Sequence, residues 1–148
     1  MWAKYNIGAS SETDYGTAFQ WGATSAYSGT DNYYTTAMSG GEILPLTNDT
    51  ARQILGGDWR MPTKAEWKEL FDNTIKSTFQ QYNSDHTAYI YGIVFYKPDY
   101  SVSLKIPCHM YNSPTGQFDN TYNFQLYPSA EAGNSNGPYS VRLMNGSA

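Results

Sequence analysis

An α+β fold is what this sequence predicts, on three observations. Short extended pieces come first, two helical patterns follow, and several strand-like segments close the chain. Aromatic residues make up 16% of the chain and charged ones 15%, the reverse of the balance in a disordered polypeptide. The 148 residues suit one domain. A chain of that size buries roughly two thirds of its unfolded surface and needs neither metal nor disulfide to fold.

Residues 1–46 carry many turn signals, among them Tyr15-Gly16, Trp21-Gly22 and Ser39-Gly40-Gly41. Trp2, Phe19 and Trp21 are the expected core anchors, with Phe19 and Trp21 on one face of a strand by the period of two. From Ser25 to Gly41 apolar residues thin out, which predicts a long surface loop carrying Tyr27, Tyr33 and Tyr34.

The first helix is expected after Leu46, capped by Thr47 or Asn48 and stopped by Gly56-Gly57. The second has a sharper start. Pro62 precedes Thr63-Lys64-Ala65-Glu66, a capping box in which the hydroxyl takes an orphan N–H and the carboxylate reaches back. Trp67, Leu70, Phe71 and Thr74 then form one apolar stripe, and Asp72-Asn73 marks the fraying end.

The pattern returns to β after Ser77. Residues 87–96 read as a strand with a break or bulge at Gly92, Lys97-Pro98-Asp99 as a turn, and 101–106 as a second strand with Val102, Leu104 and Ile106 on one face. Residues 112–116 form another turn, 122–127 a strand, 130–138 a Gly/Asn/Ser loop, and 139–144 a final strand.

Several function classes are disfavoured. A net charge of −4 argues against nucleic-acid binding, which calls for a basic stripe. No run of about 18 apolar residues exists to insert in a membrane. The first six residues lack the charged-then-apolar pattern of a signal peptide. Cys108 is the sole cysteine, so no internal disulfide framework or multi-cysteine zinc site is expected. Its neighbour His109 would point to the opposite face of a strand, which argues against a Cys–His pair. His86 and His109 sit in no metal-binding frame, and no nucleophile elbow or phosphate-cradling glycine loop occurs. No catalytic residue, metal site or cofactor is therefore expected.

The segment Leu55-Gly56-Gly57-Asp58-Trp59-Arg60-Met61-Pro62-Thr63-Lys64-Ala65-Glu66-Trp67-Lys68-Glu69-Leu70 resembles the signature of the Fibrobacter succinogenes major paralogous domain family. Trp2–Ala9, Asp14-Tyr15-Gly16 and Phe19–Gly22 resemble that family's opening, and Tyr139-Ser140-Val141-Arg142 its close. The region Tyr122–Leu126 departs from the family's pattern. The resemblance implies a C-type-lectin-like fold, with two helices packed on short antiparallel sheets and long loops. It implies one domain over 1–148, standing alone or as part of a longer surface or phage protein, at an extracellular place on a bacterial cell surface or virion.

With the Tyr, Asn, Ser and Gly of the C-terminal third, the resemblance points to a non-enzymatic binding or adhesion module. The partner would be a cell-surface glycan or protein, with homo-oligomers as part of a larger assembly. Tyr111, Asn112, Phe118, Asn120, Tyr122, Asn134, Asn136 and Tyr139 are the ligand-binding candidates, in the loops 108–121 and 128–138 and in the strands that adjoin them. A structural decoration or assembly domain without a ligand pocket and a carbohydrate-active hydrolase stand as alternatives. The formylglycine-generating relatives use paired cysteines, which one Cys does not supply. The calcium motifs of true C-type lectins are not matched either, since Lys97-Pro98-Asp99 puts an ammonium where an oxygen ligand is needed.

Overall fold

The computed structural model describes residues 1–27, 38–82, 86–87, 89–107, 124–134 and 137–144, with 124–127, 134, 137 and 139–144 given by their backbone alone. The order is α1 (Thr50–Leu55), α2 (Lys64–Asp72), β1 (Ile75–Tyr82), β2 (Tyr89–Tyr96), β3 (Ser103–Pro107), β4 (Phe124–Asn134) and β5 (Gly137–Met144). The strands make a three-stranded sheet, β1-β2-β3, and a two-stranded one, β4-β5. The architecture is α+β, as the sequence predicts.

The chain divides into two compact units, 1–16 with 69–126 and 142–148, and 17–68 with 127–141. In the first unit, β2 is the central strand. It pairs antiparallel with β1 from Ile75↔Tyr96 to Tyr82↔Tyr89, and with β3 from Gly92↔Pro107 to Tyr96↔Ser103. Ile90, Ile93, Val94, Phe95 and Ile106 are buried, and Phe71 of α2 meets Phe95 edge-on at 5.2 Å between ring centres. β1 follows α2 almost at once, where the sequence pattern places no strand before residue 87. Six of its eight side chains are exposed, so the hydrophobic alternation that announces a strand never develops.

Gly92 is no bulge. The β1–β2 register runs through it unbroken, opposite Phe79. A Cβ there would collide with the Phe79 ring and the Ile106 carbonyl, so glycine is what lets that ring lie across the strand. Val102 falls in the turn rather than in β3, where its carbonyl accepts the Lys97 N–H at 3.0 Å. The N-terminal segment of this unit is held by the Asp14 carboxylate, which accepts the N–H groups of Ser10 and Gly16 at 3.0 Å each. Those backbone donors, Gly16 first, pull Asp14 below the ordinary carboxylate range. Gly16 has φ +74°, and a Cβ would strike the Ile7 carbonyl. Glu12 pairs with Lys105 of β3 at 2.5 Å.

In the second unit the expected strand at Phe19 and Trp21 does not form; residues 17–27 run through turns. Trp21 still serves as an anchor. It packs on the core of Met38, Leu44 and Ala132 and donates Nε1–H to the Ser129 carbonyl at 2.9 Å. The cap of α1 is Asp49, not Thr47 or Asn48, which lie in a short 3-10 turn. Its carboxylate accepts the Arg52 N–H at 3.0 Å and the Met61 N–H at 2.9 Å, and only Asp49 reaches both. The Gly56 stop is as expected, with φ +68°.

Residues 130–134, expected as loop, continue β4. Ala130 and Ala132 are completely enclosed, and the backbone is tied at every step: Leu44 N–H to Ala130 O, Ala132 N–H to Glu42 O, Ala130 N–H to Pro62 O. Small residues signify close approach here, since a Cβ on Gly40 would stand 3.1 Å from the Gly133 carbonyl.

Candidate functional site

Two groups of residues are candidates for a functional role. The segment around α2 is one. Thr63 and Glu66 form the expected capping box: Glu66 N–H reaches Thr63 Oγ1 at 3.2 Å, and Thr63 N–H reaches Glu66 Oε2 at 2.8 Å. Arg60 adds a fork, with its two terminal nitrogens 2.8 and 2.6 Å from the two Glu66 oxygens. That guanidinium, aided by Thr63, holds the Glu66 carboxyl at about 2. Pro62 and Lys64 receive and donate bonds to Ala130 and Glu131 of β4, and Trp67 is buried. These contacts hold the start of α2 and tie it to β4.

The second group lies at the far end of the β1–β2 hairpin. Strand pairing sets Tyr82 opposite Tyr89 and Gln80 opposite Tyr91 on one face of the sheet. Tyr82 and Tyr89 stack with 4.2 Å between centres and 27° between planes, and the Tyr89 hydroxyl donates to that of Tyr82 at 2.8 Å. This bond raises the Tyr89 pKa above the usual phenol range. His86 adjoins Tyr82 at 5.6 Å, and Tyr91 adjoins Tyr89 at 6.2 Å. Tyr82 and Tyr89 stay 46% and 43% exposed although large apolar rings gain by burial. The outcome is a row of rings with phenol hydroxyls at the surface. From Ser77 to Tyr82 and from Tyr89 to Tyr91, the described strand residues carry no formal charge.

The positions singled out from sequence fall elsewhere. Tyr111, Asn112, Phe118, Asn120, Tyr122 and Asn136 lie outside the described residues, as do Cys108, His109, Tyr33 and Tyr34. The expected loop 108–121 lies there as well. Asn134 is the last residue of β4 and Tyr139 the third of β5; with two residues between these strands, the backbone sets both at one end of that pair. The sequence pattern alone does not point to the hairpin tyrosines. Their signal was Tyr89 and Tyr91 at alternate positions, but Tyr82 joins them only once β1 is known to be a strand.

Among the described residues, no three His, Cys, Asp or Glu side chains gather as a metal site, and no helix is long and apolar enough to cross a membrane. Comparison with known protein families, with curated proteins and with solved structures finds no match.

Proposed function

We propose that this chain is a non-enzymatic binding module with a C-type-lectin-like fold, akin to the Fibrobacter succinogenes major paralogous domains. In this reading it is displayed on a bacterial cell surface or a phage particle and holds a glycan or a protein. The observation that carries it is the exposed stack of Tyr82 and Tyr89, flanked by Tyr91, on strand residues that carry no formal charge. Tyrosine gives wide, rigid contact at small entropic cost, and neighbouring amides give adaptable hydrogen bonds. The Tyr- and Asn-rich residues 108–140 extend the same chemistry, with Tyr111, Asn120 and Asn136 as its leading members.

The test is binding of the full chain to a glycan array and to intact bacterial cells. Replacing Tyr111, Asn120 and Asn136 together by Ala, and separately Tyr89 by Ala, is expected to weaken binding at least tenfold in one or both variants. Melting should shift little for Tyr89→Ala, whose ring is exposed. Undiminished binding by both variants, or turnover of an array glycan, would refute the reading.

A further inference from the structure

The outer edge of β1 carries an inference of its own, independent of what the tyrosines hold. Sheet order leaves β1 at one side of the three-stranded sheet, paired only with β2 among the described residues. Edge strands normally carry protection against joining another chain: short length, a bulge, a proline, or several charges. β1 has a single lysine and none of the others. It is eight residues long, Ile-Lys-Ser-Thr-Phe-Gln-Gln-Tyr, without proline. Its register with β2 advances residue by residue from Ile75 to Tyr82 with no bulge. Lys76 is its one charge, and that ammonium is turned back on the Phe71 carbonyl at 2.6 Å and the Thr74 carbonyl at 3.2 Å. Ser77, Thr78, Gln80, Gln81 and Tyr82 are exposed.

We infer that β1 pairs antiparallel with β1 of a second copy of this chain, joining two three-stranded sheets into one. A twofold axis perpendicular to the sheet keeps like faces together, so directly opposed residues must be an even number of positions apart. With Phe79 on the axis, Thr78 faces Gln80 of the other copy, Ser77 faces Gln81, and Lys76 faces Tyr82. No like charges meet, and the two Lys76 residues lie at opposite ends of the new pair. A strongly acidic or basic strand would instead have opposed itself with like charges. Main-chain hydrogen bonds supply the affinity in such additions. An edge alone buries less than a standard interface, so the dimer is concentration-dependent.

Sedimentation equilibrium of the full chain over a wide concentration range tests this. The double variant Ser77→Lys/Gln81→Lys sets like charges opposite one another twice. The variant Ser77→Lys/Gln81→Glu sets opposite charges there and alters the same two exposed positions. The expected result is a reversible monomer–dimer equilibrium for the parent chain, at least tenfold weaker association for the Lys/Lys variant, and association within threefold of the parent for Lys/Glu. Circular dichroism melts should agree among the three. A parent that stays monomeric throughout overturns the inference. So does equal dimerisation of both variants, or loss of dimerisation in both. Glycan and cell binding are read separately, so either proposal can fail while the other stands.

Discussion

β2 and residues 129–132 of β4 are both largely buried, and they are buried by opposite means. β2 fills its surroundings with Ile90, Ile93, Val94 and Phe95, and its one small residue, Gly92, makes room for the Phe79 ring. β4 contributes Ser129, Ala130 and Ala132, all but fully enclosed, and draws other backbones against its own: Pro62, Leu44 and Glu42 each exchange a main-chain bond with it. One strand is held mainly by apolar area, the other by close approach. Only the first kind announces itself, because hydropathy measures area and is blind to how near a neighbouring backbone lies.

The largest test of this contrast is Phe95→Ala. The ring is 1% exposed and meets Phe71, so truncation is expected to cost about 3–5 kcal/mol, read from denaturant unfolding. A loss below about 1 kcal/mol would mean that β2 is not where apolar burial is concentrated. The converse is Ala132→Leu in β4, where added volume is expected to harm. Extra methylenes have no free space at a fully enclosed site, and overpacking costs about 1–3 kcal/mol. If Ala132→Leu melts with the parent, β4 is not close-packed, and the loop reading of 130–134 regains its force.

The same contrast explains what sequence could tell. α2 was legible because its determinants are local: Thr63 and Glu66 are three residues apart, and Trp67, Leu70 and Phe71 share a stripe. The cap of α1 was not. Thr47, Asn48 and Asp49 are all capping residue types, and the choice among them is made by the Met61 N–H, twelve residues onward. β1 escaped notice because exposure on both faces erases alternation, and with it went Tyr82 and the cluster it completes. The α+β class survived these misses because it needs only the order of patterns.

Asp49 joins the two kinds of information and gives a prediction of middle size. Its buried carboxylate caps α1 and also receives Met61 N–H, which leads into the capping box. Asp49→Ala removes the cap and strands the Met61 donor, at an expected cost of about 1–2 kcal/mol. Asp49→Asn retains an acceptor oxygen and should recover roughly half of that in chemical denaturation. Equal losses for Ala and Asn would show that charge, not acceptor geometry, is what the site requires.

The smallest effect separates charge from geometry in the most legible element. Glu66→Gln keeps the reach of the capping box and removes the ion pair with Arg60. Both partners are more than a third exposed, so solvent screens much of the attraction, and the pair is expected to be worth about 0.2–1 kcal/mol at neutral pH. The sign with pH follows from the folded carboxyl titrating at about 2 against an ordinary value of 4.5. A carboxylate held down in the folded state favours folding fully above its ordinary value, and that contribution fades as pH falls toward the folded one. Parent and Glu66→Gln should therefore differ by a constant amount from pH 7 down to about 5 and converge as pH falls from there toward 2. Melting temperatures taken pairwise across that range measure the difference directly. A gap that persists unchanged at pH 2 would show that the loss in Glu66→Gln does not come from the carboxylate's charge.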